Sequence, residues 1–389
     1  GGADAGGGSG GGIYLTAARV AGTGTIRANG GYPGNTVNAG GGGGGRIAIA
    51  YNPGVQSAVT PRPTLTLSAA GGAADLPRFG GLGTLYVTDT QLLVENMSSN
   101  YNGVICNIPS WSPDHIVCSG LVQFASANVR LSVSNDASFT IPSFYSSTPA
   151  ISLTQCVVRG TLVLDRQPLI LTNSSPSLSC GRNLLMTNGA WMSVYGSSTN
   201  AVITNGALVR VDGALVLSPG CWVYLSSDPV NGGSPAFLVQ DLTVAAAAGF
   251  NADFSGYMGR YNFDGHGPGA GRANGTGGGY GGQGGSLAGG PWGGGTYGSS
   301  NAPVDPGSAG HSQNNSTTAR AGGVIRIAAT GTVRIEGTLT AGGGDAPPYN
   351  GGGAGGSIFV TCRKFIGAPT GALRANGGTV QNVTYWGCG

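Results

Sequence analysis

Acidic side chains are the first candidates for catalysis, because hydrolysis of a glycosidic bond needs two carboxylates held at one site. The 389 residues contain 15 Asp and Glu in total. Only Glu95 and Glu336 are glutamates, they are far apart in the sequence, and no two aspartates are adjacent. Asp114-His115 could join a distant serine in a triad, but any serine-rich chain offers such combinations. The sequence therefore predicts a protein that is not an enzyme.

A histidine motif keeps a remote alternative open. Gly265-His266-Gly267 resembles the Gly-His-Gly motif of polygalacturonases, which are parallel β-helices, although Arg334-Ile335-Glu336 only half matches their Arg-Ile-Lys motif. A polysaccharide hydrolase or lyase is that alternative. No Cys-x-x-Cys pair occurs and the three histidines are isolated, so no zinc site, and no cofactor, is predicted. A calcium site remains an alternative at the predicted corners that carry Asp212, Asp228, Asp241 and Asp253, although no dense loop of Asp and Asn ligands occurs there.

The seven cysteines are widely and irregularly spaced, which favours disulfides over a metal site. The interval from Cys156 to Cys180, like the interval from Cys362 to Cys388, is close to one turn of a solenoid. Cys106 and Cys118 are closer together and flank a loop rich in proline. We expect these three pairs in an oxidising compartment, with Cys221 left over as a buried thiol or a bridge to another segment. The alternative is a reduced chain.

Composition favours an extracellular protein. Gly accounts for 77 residues, only 8% of residues are charged, and the net charge of +3 is spread along the chain, which argues against nucleic-acid binding. The longest apolar runs are far shorter than the roughly 18 residues of a membrane span, so no membrane insertion is expected. Six Asn-x-Ser/Thr sequons, against roughly four expected by chance, are weak support for secretion and glycosylation. They begin at Asn96, Asn173, Asn274, Asn314, Asn315 and Asn382.

A repeat with a fixed interval organises both ends of the chain. The interval from Val324 to Ile358 equals the interval from Leu339 to Leu373, and Ile13 precedes a matching isoleucine, Ile47, by the same distance in the sequence. Residues 341–389 also resemble residues 1–42, which indicates one long unit from a larger tandem array. Consecutive copies should stack at the roughly 4.8 Å spacing of hydrogen-bonded strands.

Short apolar runs with a period of two indicate strands, and no segment has a helical period. Strands that recur at a fixed interval without hairpin turns favour a parallel stack. We therefore predict an all-β fold, a right-handed parallel β-helix (solenoid) with Gly-rich corner loops and little or no helix. Four segments are predicted: a Gly-rich cassette at 1–80, irregular coils at 81–250, a Gly-rich low-complexity loop at 251–320, and a second cassette at 321–389 that repeats 1–42.

Side-chain directions follow from this prediction. Val324 should lie over or near Ile358. Positions expected to point inward are Ile327, Val333, Ile335, Leu339, Val360 and Leu373, and positions expected to point outward are Arg326, Arg334 and Arg374. Corner glycines such as Gly160, Gly189, Gly206 and Gly213 should supply left-handed backbone. Within 251–320 we favour an ordered loop covered by Tyr280, Trp292 and Tyr297 over a flexible linker, because linkers rarely carry so many aromatics.

The glycine-rich motifs carry a resemblance. Thr25-Ile26-Arg27-Ala28-Asn29-Gly30-Gly31 and Gly-Gly-Ser357-Ile358-Phe359-Val360 resemble the glycine-rich β-helix repeats of very large secreted surface proteins. Mastigoneme-type proteins, which build hairs on flagella, are the most specific analogue. The resemblance covers residues 1–80 and 320–389, and it implies no active site.

We expect a structural rod segment of an extracellular filament or cell-surface appendage. Its partners would be other copies of itself or further repeats of the same chain, with glycans as possible ligands. The alternative is an adhesin or carbohydrate-binding stalk that uses exposed aromatics on one face, for which the candidates are Trp111, Trp191, Trp222 and Tyr224.

Overall fold

The structure is a computed structural model. It describes residues 5–34, 39–73, 79–97, 101–125, 129–141, 150–171, 175–197, 207–260, 264–272, 275–286, 292–312, 319–348 and 350–380. The chain divides into two compact units, unit 1 at Gly1–Ile170 and unit 2 at Leu171–Gly389. This division differs from the four predicted segments, which were drawn from changes in composition and stay a prediction.

Unit 1 is built from short strands with one helical turn, α1 at Pro53–Gln56, and one 3-10 turn at Thr90–Leu92. Asn52 caps α1 by accepting hydrogen bonds from the N–H groups of Gly54 (3.0 Å) and Val55 (3.3 Å). The strands are β1 Gly12–Thr16, β2 Thr23–Arg27, β3 Arg46–Ala50, β4 Thr64–Ser68, β5 Thr84–Val87, β6 Asn96–Met97, β7 Gly103–Cys106, β8 Ser110–Trp111, β9 Ile116–Cys118, β10 Val122–Phe124, β11 Arg130–Val133, β12 Ala137–Thr140, β13 Ile151–Leu153, β14 Gln155–Val158 and β15 Leu162–Asp165.

Unit 2 contains strands in its described residues up to Asn251 and again from Val324, with none between them. β16, Leu169–Leu171, spans the division between the units in the sequence. The others are β17 Ser177–Cys180, β18 Leu184–Thr187, β19 Trp191–Gly196, β20 Leu208–Leu217, β21 Trp222–Ser227, β22 Ala236–Val244, β23 Gly249–Asn251, β24 Val324–Ala329, β25 Thr332–Ile335, β26 Thr338–Thr340, β27 Ser357–Thr361, β28 Lys364–Gly367 and β29 Ala372–Arg374.

The strands pair in parallel with the equivalent strands of the next coil. In unit 1, β1, β3, β5, β7 and β10 form one sheet, and β2 pairs with β4. In unit 2, β24, β25 and β26 make one coil, and each pairs in parallel with one strand of the next coil, β27, β28 and β29 respectively. The prediction of an all-β, parallel, solenoid-like fold with little helix is confirmed.

The predicted register of the repeat is confirmed at two strands and shifted at two others. Ile13 pairs with Ile47 and Leu339 pairs with Leu373. Ile358, however, pairs with Ile325, so Val324 lies beside its predicted partner rather than opposite it. Between β25 and β28 the interval is shorter again, since Thr332 pairs with Lys364. Corners of unequal length absorb these differences, so the stacked strands keep their pairing.

Most predicted inward positions of the first copy are buried: Ile327, Val333, Ile335 and Leu339 are each at most 1% exposed. Val360 is half-buried and Leu373 is 49% exposed, because both belong to the outermost described coil. Arg334 and Arg374 are exposed as predicted. The prediction for Arg326 is wrong, since its side chain is 8% exposed. Its cross-strand neighbours are Ala236 and Phe359, and burial lowers the pKa of its guanidinium.

The described part of the low-complexity segment is hydrogen-bonded and packed. Tyr280 and Tyr297 contact each other edge to face, with ring centroids 4.9 Å apart. Ser357 donates a hydrogen bond to the Tyr280 hydroxyl over 2.7 Å, which ties this segment to β27. Trp292 does not contribute to this cover, because it is 75% exposed.

Glycine is required at several places by close packing of backbone on backbone. The Gly322 N–H donates to the Ala354 carbonyl over 2.9 Å, and the Gly322 carbonyl accepts from Gly307 over 2.9 Å. A Cβ atom on Gly322 would lie 2.0 Å from the Ala341 carbonyl oxygen. The glycine-rich segments therefore approach each other more closely than any side chain would allow.

At three corners of the described chain an Asp or Asn side chain fastens the next coil where a glycine approaches the side-chain oxygen closely, and we call this contact the corner clasp. Its side-chain oxygen accepts the N–H of the residue that follows a glycine, in the pairs Asp136 to Thr161 (2.6 Å), Asn183 to Ala214 (2.9 Å) and Asp241 to Thr332 (2.6 Å). A Cβ on the preceding glycine would lie only 2.1 to 2.5 Å from that oxygen. At Gly160 and Gly213 glycine is therefore needed because the clasp oxygen approaches the backbone closely, and the predicted left-handed backbone is wrong for both. Gly189 does adopt left-handed backbone, with φ of 79°. Gly206 lies outside the described residues.

The clasp gives a testable prediction. Gly331→Ala should place a methyl group 2.4 Å from the Asp241 Oδ1 atom, break the bond to the Thr332 N–H, and lower the free energy of unfolding by about 1 to 3 kcal/mol. Guanidinium denaturation measures this. Gly281→Ala is the control, because a Cβ there meets nothing within 4 Å. Equal stability of the two variants would contradict the clasp.

Candidate functional site

The structure brings together several polar residues of unit 1 that are separated in the sequence. Pairing of β6 with β9 places Glu95 beside His115, with 3.3 Å between Glu95 Oε2 and His115 Nδ1. The Asp114 N–H donates to Glu95 Oε1 over 2.8 Å. Arg62 lines the same shallow groove, and its guanidinium donates to the carbonyls of Thr90, Gln91 and Leu93. Sequence reasoning missed this meeting, since only strand pairing relates residues 95 and 115.

These side chains bind neighbouring parts of the coil through hydrogen bonds. They do not form a pair of carboxylates that could serve as a catalytic acid and base. The Glu95 carboxylate contacts His115 and accepts a backbone N–H, and the Arg62 guanidinium donates its hydrogen bonds to backbone carbonyls. The other glutamate, Glu336, accepts from the Arg334 guanidinium over 2.6 Å. Neither glutamate faces a second carboxylate in the contacts of the described residues.

The Gly-His-Gly motif has a structural contact of its own. The His266 N–H donates to the Met258 carbonyl over 3.0 Å. Burial, and then the charge of Arg260, lower the pKa of the His266 imidazole. Across the described ranges, no group of three or more His, Cys, Asp or Glu side chains could hold a metal ion.

The four corner aspartates are each engaged by protein groups. Asp212 Oδ1 is 2.8 Å from Arg210 Nε, and Asp241 forms a corner clasp. Asp253 accepts from the Thr340 hydroxyl over 2.7 Å and from the Gly342 N–H. Asp228 accepts from the Tyr195 hydroxyl over 2.7 Å, and the N–H groups of Val230 and Asn231 also donate to it. These carboxylates stabilise the local backbone and neighbouring side chains through hydrogen bonds and one ion pair.

The cysteines do not form the predicted bridges in this structure. Cys106, Cys118, Cys156 and Cys362 are thiols. On β7, Cys106 follows buried Ile105 and points outward, whereas Cys118 points inward from β9, so Cys106 and Cys118 face opposite sides of their strands. Cys156 is buried opposite Leu131 in unit 1, and because its side chain is a thiol the Cys156–Cys180 bridge is not formed either. Cys388 lies outside the described residues. Cys180 and Cys221 are buried in unit 2.

Buried thiols predict a loss of stability at alkaline pH. Burial raises the pKa of Cys118 to about 11 and that of Cys156 to about 12. Unfolded thiols ionise first, so this stability is present below about pH 9 and is lost as the pH rises toward those values, by up to about 1.4 kcal/mol per pH unit for each thiol. Denaturation midpoints between pH 8 and pH 11 should show the decline, and Cys156→Ala should reduce the slope. A slope unchanged by this substitution would contradict the prediction.

Only one predicted glycosylation site lies on described residues. Asn96 is exposed on β6 and pairs with Val117. The other five, Asn173, Asn274, Asn314, Asn315 and Asn382, lie outside the described residues. Attachment of glycans stays a prediction at all six.

The four aromatic residues predicted for an open face separate into two groups. Trp111 is 4% exposed on β8, so its predicted role on an open face is wrong: it occupies an inward position in unit 1. In unit 2, Trp191, Trp222 and Tyr224 occupy outward positions on β19 and β21 and contact one another. We call these three residues the aromatic platform.

The outermost coils expose positions that are buried one coil further in. Leu373 pairs with Leu339 and Phe365 pairs with Val333, and both inner partners are fully buried. Leu373 and Phe365 are each 49% exposed. In unit 1, Leu15 pairs with buried Ile49 and is 39% exposed. In the described chain, β1, β27, β28 and β29 each pair with a strand on one side only.

None of the helices in the described part of the chain has the length and hydrophobicity needed to cross a bilayer. Comparisons with protein-family models, with curated proteins and with solved structures find no match. The parallel solenoid-like architecture, the one-sided coils and the aromatic platform are therefore the features from which a function is argued.

Proposed function

We propose that this chain is a structural segment of an extracellular filament or cell-surface appendage, in which stacked coils give stiffness along the stacking axis. The observation that carries the proposal is the exposure of inward positions on the outermost coils. Each of these positions pairs with a buried residue of the neighbouring coil: Leu15 with Ile49, Phe365 with Val333, and Leu373 with Leu339. A strand edge with an apolar flank favours the addition of a further strand.

The sequence supports the same proposal. Residues 341–389 resemble residues 1–42, so the coil pattern of one copy matches that of another copy at these segments. Another copy of the chain, or a further repeat of it, would bury the exposed positions. Low charge and a high glycine content suit a scaffold made of closely stacked backbones.

Self-association tests the proposal. We expect the purified chain to associate with rising concentration in sedimentation velocity, and Leu373→Asp or Phe365→Asp to weaken association by placing a charge at the joint. Val230→Asp is the matched control, because Val230 is 48% exposed and lies on the turn between β21 and β22 rather than on a strand of an outermost coil. A chain that stays monomeric at every concentration, or variants that associate as well as the control, would contradict the proposal.

A further inference from the structure

The aromatic platform arises from the alternation of strand residues. Met192 and Val223 are fully buried on the inner face, so the residues before them, Trp191 and Trp222, point outward. Trp191 and Trp222 are direct partners in the parallel ladder, one strand spacing apart, about 4.8 Å. Large aromatic rings therefore occupy the same outward position on consecutive strands.

The three rings form a shallow surface. The Trp222 and Tyr224 rings lie nearly parallel, with 24° between their planes and 6.5 Å between centroids. The Trp191 ring meets Tyr224 edge to face at 6.1 Å. Tyr224 is 41% exposed, and both tryptophans are half-buried, so part of each ring is open to solvent.

Gly249 lets the Trp222 ring lie against the next strand. A Cβ atom on Gly249 would be 2.6 Å from the Cζ3 atom of that ring. Beyond Gly249 the same outward row continues with Thr338, a small polar residue. The row thus changes from two rings to small residues, which confines the platform to β19 and β21.

The strands that carry the platform, and β23 beside them, have no charged side chains. Ser193 and Asn251 are the ladder partners of Tyr224 on either side, and both are half-buried. The nearby carboxylate of Asp228 is bound to the Tyr195 hydroxyl, and Asp253 is bound to Thr340.

We propose that the aromatic platform binds a neutral polysaccharide chain. The C–H face of a sugar stacks on an aromatic ring while its hydroxyls reach neighbouring hydroxyl and amide groups, and this mixture of aromatic and sparse polar groups is typical of small-molecule sites. Trp191 and Trp222 stand one strand spacing apart, and the Trp191 ring lies edge to face with Tyr224, so the platform offers two differently tilted aromatic faces to sugar rings. An uncharged face offers nothing to a nucleic acid or an acidic polymer, whose phosphates or carboxylates need cations. This site is independent of end-to-end stacking.

The test is isothermal titration of the full chain with two neutral probes, cellohexaose and laminarihexaose, and one charged probe, hexagalacturonate. Saturable binding of a neutral probe is expected, with quenching of tryptophan fluorescence. Trp222→Ala and Tyr224→Ala should each weaken it about tenfold or more, the factor that 1.4 kcal/mol represents. Trp292→Ala, at a tryptophan that is 75% exposed in the glycine-rich segment, is the control and should bind like the parent.

Tyr224→Ala keeps the test decisive if the tryptophan variant does not fold, because Tyr224 is exposed and contributes little to the core. Binding of neither neutral probe would overturn the proposal. So would binding that survives both platform substitutions, or equal affinity for hexagalacturonate. Loss of lateral association between copies in the platform variants, without sugar binding, would assign the surface to a second copy of the chain instead.

Discussion

Gly322→Ala is expected to be among the most damaging additions of a single methyl group to the described residues. The new Cβ would lie 2.0 Å from the Ala341 carbonyl oxygen and 2.4 Å from the Gly356 nitrogen, both of which are backbone atoms. Neither neighbour can move away as a side chain would, because the Gly356 N–H itself donates to the Ala341 carbonyl over 2.7 Å. We expect a loss of about 3 kcal/mol or more in the free energy of unfolding, the upper end for overpacking.

Chemical denaturation of the purified variants measures this loss. Gly295→Ala is the control, since a Cβ at Gly295 meets nothing within 4 Å and the residue is exposed. The control should unfold within about 1 kcal/mol of the parent chain, because a surface Gly→Ala change acts mainly through backbone entropy. A Gly322→Ala variant as stable as this control would show that the backbones of the glycine-rich segments are not closely packed at Gly322.

Phe250→Ala is expected to cost about 3 to 5 kcal/mol, the usual loss when a buried phenylalanine is truncated. Phe250 is fully buried on β23, and its ring meets that of Phe237 edge to face at 5.2 Å. Val223 and Leu339 lie above and below it in the ladder. A cavity at this level would remove contacts in three successive coils.

Phe365→Ala is the matched comparison for that variant, because Phe365 is also an inward ladder residue but is 49% exposed at the outermost coil. Its truncation should cost clearly less in the free energy of unfolding, while it should weaken self-association of the chain. Thermal melts and sedimentation velocity on the same two samples separate these effects. Equal losses of stability would mean that the end coil is as well covered as the middle.

Much of the fold could be predicted from the sequence because a solenoid repeats local information. The interval from Ile13 to Ile47 equals one coil, and so does the interval from Leu339 to Leu373. The same interval does not predict the partner of Ile358, which pairs with Ile325. The length of the corner changes from coil to coil, and no residue pattern in the sequence indicates that change. The same limitation explains the cysteines, since spacing predicts the level of a residue but not the face of its strand.

The candidate sites were less predictable, because they depend on which strands become neighbours. Trp191, Trp222 and Tyr224 were recognised as aromatic residues for one face, but Trp111 was grouped with them although it is buried in unit 1. Its sequence neighbours, Ser110 and Ser112, are polar, whereas the neighbours of the other three aromatics are apolar, so the alternation of strand residues marks Trp111 as an inward position. The approach of Glu95 to His115 likewise depends on pairing of β6 with β9.

The most direct test of the structural proposal is electron microscopy of a fused chain in which residues 1–389 are followed directly by residues 43–389 of a second copy. Because 341–389 resembles 1–42, this fusion keeps the coils in sequence. A control fusion that resumes at residue 60 omits β3 and interrupts the coil. We predict one straight, continuous rod about twice as long as the single chain for the first fusion, and a bend or break at the junction for the control. Two bodies joined at variable angles in both fusions would contradict the account.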